Sequence, residues 1–136
     1  MGEGKRILIN GAGTVGNRGA DVLLSMGVPV FMCKYDADKD DIKTKELKML
    51  LNRYKGSKVG DIPVYAARGS DLEQRIDNIK EHVGRCDGSI DTLPFNDVVL
   101  AIDCTPGMDI RNHLDIYAPN DIPFAINGGG DDKLIE

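Results

Sequence analysis

The sequence predicts an α/β fold of the doubly wound type, in which a mainly parallel sheet carries helices on both faces. Short apolar segments of strand length alternate with longer amphipathic segments along the chain. The strand-length segments are continuously apolar, which is typical of parallel strands that are covered on both sides. A glycine-rich turn directly follows the first of them. With 136 residues, the chain can bury one ordinary core, so we expect a single domain over residues 1–136.

The first three elements form a β-α-β unit of about 30 residues. Arg6–Asn10 is short and apolar, and we predict that it is the central strand of the sheet. Residues 14–26 have apolar side chains at helical spacing and stop before Gly27, which suits a helix C-terminus. Residues 28–34 are the predicted second strand. A glycine motif inside such a unit is a stronger signal than the motif alone.

The middle of the chain continues the alternation. Residues 41–54 are predicted to form a surface helix, and residues 62–66 a strand. Ser70 and Glu73 have the spacing of a capping box, which predicts a helix that has Ser70 as its N-cap and ends near Val83.

The last third begins with residues 84–96, which are polar and rich in turn-forming residues, with a short strand predicted near Arg85. Residues 97–103 are the most clearly buried strand in the sequence. A short helix to about Tyr117 and a final strand over residues 122–126 complete the predicted elements.

The charge pattern argues against two classes of partner. The net charge is -5 and the pI is about 5.0, with charges interspersed rather than gathered into a basic patch. We therefore expect neither nucleic acid nor an anionic membrane as a partner. The sequence has no run of about 18 apolar residues and no signal-peptide pattern, so we expect a cytoplasmic protein. Its three widely spaced cysteines match neither a disulfide framework nor paired metal ligands.

Gly11, Gly13 and Gly16 have the G-x-G-x-x-G spacing of a Rossmann-like, dinucleotide-binding turn. Gly11 would permit the tight turn after the strand, and Gly13 would let the backbone approach a diphosphate. Gly16 would let the helix pack closely on the strand. The free N–H groups and the dipole of that helix favour anionic phosphates, so the turn predicts a phosphate site.

Two residues near the end of the second strand predict opposite cofactors. Asp36 lies 20 residues after Gly16, where NAD-selective folds place an acid that accepts hydrogen bonds from the ribose 2′-OH. Lys34 lies at the strand end, where an ammonium would suit the 2′-phosphate of NADP. Alternatively, both simply begin a solvated loop, because further charged residues follow. We expect NADP or NAD, with NADP slightly favoured.

Four segments, taken in order, carry a resemblance to a known family. They are residues 9–18 (INGAGTVGNR), 33–34 (CK), 103–106 (DCTP) and 126–129 (INGG). Together they resemble the N-terminal nucleotide-binding domain of archaeal-type glyceraldehyde-3-phosphate dehydrogenase, over nearly the whole chain.

The resemblance implies a set of cofactor contacts. Lys34 would lie near the adenosine 2′ position, and Thr105 and Pro106 would lie beside the nicotinamide side of the cofactor. The pyrophosphate would contact Gly11, Ala12, Gly13, Thr14 and Val15. The site would be approached from the last strand by Asn127, Gly128 and Gly129.

The resemblance also implies a function, that of the NAD(P)-binding half of a phosphorylating aldehyde dehydrogenase of glycolysis, as a fragment or as one subunit of a split enzyme. The family's catalytic cysteine and histidine belong to later segments that have no counterpart here. We therefore expect no catalysis by this chain alone, and either a catalytic-domain partner or self-association. The alternative is a stand-alone regulatory protein that binds a nucleotide without catalysis.

Within the chain, Cys104 is the best candidate nucleophile, because it follows a strand at the ligand-binding edge. No Lys, Arg or His is adjacent in sequence to lower its pKa or to act as a base, so we expect a buried structural thiol. We expect His82 and His113 to be exposed surface residues.

Overall fold

The computed structural model describes residues 4–105 and 110–126. These residues form a five-stranded sheet in which all the strands are parallel. The strands are Arg6–Asn10 (β1), Val30–Lys34 (β2), Val64–Ala66 (β3), Val98–Asp103 (β4) and Phe124–Ile126 (β5). The prediction of an α/β fold with a parallel sheet is confirmed.

Strand β1 lies at the centre of the sheet, as predicted. The strand order is β3-β2-β1-β4-β5, and Leu8 of β1 pairs with Phe31 on one side and with Ala101 on the other. The chain builds outward from β1 through β2 to β3, and then crosses back to add β4 and β5. In sheets of this type, ligands bind at such a reversal, outside the carboxyl ends of the strands.

Three helices pack over one face of the sheet. They are Thr14–Ser25 (α1), Ile42–Tyr54 (α2) and Leu72–Val83 (α3). Alternate strand residues point to opposite faces, so every second strand residue joins this core. Its buried side chains include Ile9, Met32 and Val64 from the strands and Leu24, Leu47 and Ile79 from the helices.

The second face has its own core beneath shorter elements. Two single-turn 3-10 helices, Ile90–Thr92 and Phe95–Asp97, lie on it with a short helix, Ile110–Asn112 (α4), that continues as a π-helical segment at His113–Tyr117. Helical elements on both faces are therefore confirmed. The buried side chains of this core include Leu8, Phe31, Tyr65, Ile90, Ile116 and Tyr117.

The strand predicted near Arg85 is wrong. Over residues 84–97 the extended pairing is limited to a single parallel bridge between Ser89 and Ala66. The 3-10 turns take the place of a strand because they bury Ile90 against the second face.

The start of α3 also differs from the predicted capping box. The helix begins at Leu72, and its N-cap is Asp71 in the left-handed conformation, with φ 56° and no side-chain cap bond. Ser70 is not the N-cap, because its carbonyl oxygen accepts from Nε of Arg75 at 3.0 Å. The same guanidinium donates to the carbonyl oxygen of Ala67 at 2.8 Å. The residues before α3 therefore fold around the Arg75 side chain.

Candidate functional site

The glycine motif lies in the turn between β1 and α1, which is the position that a phosphate-binding turn requires. Gly11 has a φ of +110°, and a Cβ on it would lie 2.9 Å from the carbonyl carbon of Cys104, in the turn after β4. A Cβ on Gly16 would overlap the carbonyl oxygen of Gly11. The fold itself therefore needs glycine at both positions.

Gly13 differs, because the surrounding protein does not require its missing side chain. Its φ of -95° and ψ of -162° are extended values that other residues adopt. The nearest atom to a Cβ placed there would be Cδ of Lys43 at 3.8 Å, an ordinary contact distance. Gly13 therefore has room for a Cβ beside the Lys43 stem, whereas a diphosphate resting on the backbone would require that no side chain be there.

The first turn of α1 has no acidic side chain that would compete with a bound anion. Gly13 is the N-cap and makes no side-chain cap bond, and the first turn contains no Asp or Glu. The N–H groups of Gly11 and Ala12 are already used, since both donate to the carbonyl oxygen of Cys33 at 3.1 and 2.9 Å. The N–H groups of the first helical turn have no acceptor within an α-helix. Together with the helix dipole, they can bind an anion.

Lys34 is buried against the glycine turn. It ends β2 and is 5% exposed. Its ammonium donates to the carbonyl oxygen of Ala12 at 3.3 Å and lies 4.0 Å from the carboxylate of Asp41. Burial lowers the pKa of Lys34, and the Asp41 carboxylate opposes that shift. Lys34 thus ties the turn to β2.

Asn17 ties the same turn to α2. Its side-chain amide donates to the carbonyl oxygens of Ala12 at 3.5 Å and of Lys43 at 3.2 Å. Lys43 is exposed, and its stem lies beside Gly13. Sequence reasoning missed Lys43 because it resembles any other lysine of a surface helix.

Asp36 follows Lys34 by two residues, and its side chain has other hydrogen-bond partners. It is exposed beyond the end of β2, and its Oδ1 accepts from the N–H of Ala37 at 2.8 Å and from Nδ2 of Asn78 on α3 at 3.1 Å. The Asp36 carboxylate acts to raise the pKa of Lys34 against the effect of burial, so the two proposed cofactor discriminators interact electrostatically, although Lys34 is buried under the glycine turn and Asp36 is held beside α3.

A cleft of about 570 Å³ opens at the carboxyl edge of the sheet. Its lining comes from the ends of β1 and β2, from the turns after β3 and β4, and from the helical segment after β4. Representative lining residues are Asn10, Tyr35, Gly69, Thr105 and Asn112. Because Gly11 packs on the backbone of Cys104 and Thr105, the glycine turn adjoins this cleft.

A buried carboxylate organises the cleft wall. Asp103 ends β4 and is 1% exposed. It accepts from the backbone N–H of Thr105 at 3.0 Å, from the Thr105 hydroxyl, from Nδ2 of Asn112 at 3.0 Å and from the hydroxyl of Tyr117 at 2.5 Å. The Tyr117 hydroxyl in turn accepts from Nδ2 of Asn10 at 2.9 Å. Burial, reinforced by the bond to Asp103, raises the pKa of Tyr117.

Thr105, expected near the cofactor, thus lines the cleft and is held by Asp103. Sequence reasoning missed Asp103, Tyr117 and Asn10 as site residues. The one available signal was an aspartate at the end of a continuously apolar strand. A carboxylate buried there is costly unless hydrogen-bond donors surround it, so its presence indicates a structural or functional role.

Tyr35 and Arg75 form a second feature of the cleft. The Tyr35 ring is 59% exposed and lines the cleft, with the guanidinium carbon of Arg75 4.4 Å from its centroid. Arg75 is 3% exposed, and its Nη1 donates to the carbonyl oxygens of Tyr35 and Ala67, both at 2.8 Å. Its Nη2 is buried without a hydrogen-bond partner in the described part of the chain. The loops after β2 and β3 are therefore held together by one buried cation.

The thiols favour the protonated form. Burial, with a smaller effect of Asp103, raises the pKa of Cys104 to about 11. Burial also raises the pKa of Cys33 to about 12 and raises that of Cys86. At neutral pH these groups are thiols rather than thiolates, so they are poor nucleophiles.

The expectation that the two histidines are exposed is wrong. His82 and His113 are both partly buried, and the His113 ring packs against that of Phe124 with centroids 5.0 Å apart. The reason is that the segment carrying His113 lies over the second face of the sheet, where β5 meets it.

Several predicted site residues lie outside the described residues, namely Pro106, Asn127, Gly128 and Gly129. Within residues 4–105 and 110–126, no group of three or more His, Cys, Asp or Glu side chains is placed to hold a metal ion. No helix in those ranges is both long and apolar enough to span a bilayer.

No protein-family model matches the chain, and no curated protein matches its sequence. What the chain binds is therefore inferred from the glycine turn, the cleft and the residues between them.

Proposed function

We propose that the chain binds a dinucleotide, NAD or NADP, across the carboxyl edge of its sheet. The observation that carries the proposal is the glycine turn between β1 and α1, with a glycine that the fold does not require at Gly13 and no side-chain cap at the start of the helix. The turn adjoins the reversal of strand order, which is where nucleotides bind in sheets of this topology. In this proposal the diphosphate lies on Gly13 and accepts from the N–H groups of Thr14 and Val15.

The cleft would receive one nucleoside of the dinucleotide. Its volume of about 570 Å³ lies within the range of small-molecule pockets, roughly 300–1,000 Å³. The exposed ring of Tyr35, held from one side by Arg75, offers a flat surface on which a nucleobase can stack. Asn10 and Thr105 add polar groups to the lining of the cleft.

We further infer that this module serves an oxidoreductase related to glyceraldehyde-3-phosphate dehydrogenase, as its cofactor-binding half. The four matching segments support the inference, and two of them, the glycine turn and the end of β4, meet in the structure through Gly11 and Thr105. Thioester chemistry of that type needs a thiolate and a base. Cys104, with a pKa of about 11, is unsuited to the nucleophile's role, so the proposal assigns the chemistry to a catalytic partner.

Dinucleotide binding is tested by Gly13→Val. The extended backbone at Gly13 accepts valine without strain, so the substitution fills the ligand's space while the fold remains intact. We expect titration calorimetry with NAD and with NADP to show binding by the unsubstituted chain and none by Gly13→Val.

The matched control is Gly19→Val, in the same helix, where a Cβ would meet no atom within 4 Å. This variant should bind as the unsubstituted chain does. Unchanged affinity in Gly13→Val would remove the diphosphate from the glycine turn and with it the proposed function.

A further inference from the structure

Two lysines lie beside the glycine turn, and their ammonium groups differ in access. That of Lys34 is inside the protein, hydrogen-bonded to Ala12 and close to Asp41. Lys43 is exposed, and it forms neither an ion pair nor a side-chain hydrogen bond with another residue in the described ranges.

The backbone of Lys43 is fixed relative to the turn. Its N–H donates to the carboxylate of Asp41 at 3.3 Å, and its carbonyl oxygen accepts from Nδ2 of Asn17 at 3.2 Å. Asn17 also donates to Ala12, so the start of α2 and the glycine turn form one hydrogen-bonded unit. The position of Lys43 beside Gly13 is thus set by the fold and not by chance packing of a long side chain.

The stem of the exposed Lys43 side chain passes beside Gly13, so its ammonium can reach the space next to the glycine turn. Its Cδ would lie 3.8 Å from a Cβ on Gly13, and the ammonium is only two bonds farther along the side chain. The chain has a net charge of -5, which repels a ligand with several negative charges. A local cation at the phosphates would offset this repulsion. A lysine ammonium suits this role as a compact point charge.

We infer that Lys43 contacts the diphosphate of the bound dinucleotide and contributes to its affinity, whereas Lys34 holds the turn from within. This inference rests on the proposed function. It assigns Lys43 to the diphosphate, which NAD and NADP share, rather than to the 2′-phosphate, which only NADP carries.

The test is Lys43→Gln, measured by calorimetry with NAD and NADP at two salt concentrations. We expect the variant to bind both cofactors about tenfold more weakly, because it loses one charge-assisted hydrogen bond. Its affinity should also fall less steeply with added salt than that of the unsubstituted chain, since one screened ion pair is gone. Lys43→Arg should restore most of the affinity.

Lys45→Gln is the matched control. It makes the same change of net charge on the same helix, and Lys45 is likewise exposed. Because successive helical residues are turned by about 100°, it projects from another side of α2. Its affinity for both cofactors should stay within about twofold of the unsubstituted value.

Equal affinities in Lys43→Gln and Lys45→Gln would overturn the inference while leaving the proposed function intact, provided that Gly13→Val abolishes binding. A loss confined to NADP would overturn it too, by moving the contact to the 2′-phosphate. No binding of either cofactor by the unsubstituted chain would overturn both the inference and the proposed function.

Discussion

The ammonium of Lys34, at the end of β2, donates to the carbonyl oxygen of Ala12 inside the protein, and Asn17 of α1 donates to the same oxygen. Removing a donor from a buried carbonyl oxygen destabilises the folded protein, since water does not replace the lost hydrogen bond. Holding a charged amine in a buried position also costs free energy, as the lowered pKa of Lys34 shows. We attribute its presence at the end of β2 to the hydrogen bond by which it holds the glycine turn.

At this scale we predict that Lys34→Met lowers the free energy of unfolding by roughly 1–3 kcal/mol, because the carbonyl oxygen of Ala12 loses its charged donor and keeps only the 3.5 Å bond from Asn17. Affinities for NAD and NADP should fall by the same factor, because the turn serves both. Urea denaturation and calorimetry test the two parts, with Lys45→Met as the exposed control. A selective loss of NADP affinity would instead give Lys34 the 2′-phosphate role that the sequence predicts.

At the scale of elements, the three glycines of the turn between β1 and α1 have different structural roles. Gly11 and Gly16 allow the close packing of strand, helix and the turn after β4, whereas Gly13 has room for a side chain. The motif thus contains two glycines that the packing requires and one that it does not.

This division predicts opposite outcomes for two alanine substitutions. Gly11→Ala should lower the free energy of unfolding by roughly 1–3 kcal/mol, because of the positive φ and the contact with Cys104. Gly13→Ala should lower it by only about 0.5 kcal/mol, the cost of replacing an N-cap glycine by alanine without a steric clash. Chemical denaturation of both variants, each against the unsubstituted chain, measures this. Equal destabilisation would show that Gly13 is also a structural glycine.

Elements were predicted well where the signal is local. Arg6–Asn10 and the strand ending at Asp103 are continuously apolar, and both are found as predicted. The start of α3 was mispredicted because the Arg75 side chain, inside the helix, donates hydrogen bonds to carbonyl oxygens that precede it.

The glycine turn was located from sequence, but the cleft was not. Asn10 bonds to Tyr117 across 107 positions, and no short motif encodes such a contact.

At the scale of the whole molecule, the cleft is open at the carboxyl edge, and the thiols of the described residues are protonated at neutral pH. A dinucleotide bound there would present its reactive end to whatever covers that edge. This arrangement is what a cofactor-binding half needs if a partner supplies the nucleophile and the base.

We therefore predict that the chain alone does not reduce NAD or NADP with glyceraldehyde 3-phosphate and phosphate, and that a mixture with a candidate catalytic chain does. Absorbance of the reduced nicotinamide follows both reactions. Reduction by the chain alone, lost in Cys104→Ser, would contradict the prediction. Binding without activity in either case would favour the stand-alone regulatory protein.

The central position of β1 has a consequence for the nascent chain on the ribosome. Strand β1 is synthesised early, and β2 is the first of its two neighbours to follow. The strand that pairs with its other edge, β4, begins 64 positions after Lys34. At translation rates of about 5–20 residues per second, that edge stays open for roughly 3 to 13 s. Leu8 and Phe31 lack the β4 residue Ala101 against them for about the same interval. An open strand edge can pair with another chain, so we expect edge-to-edge association between growing chains to be possible until β4 docks.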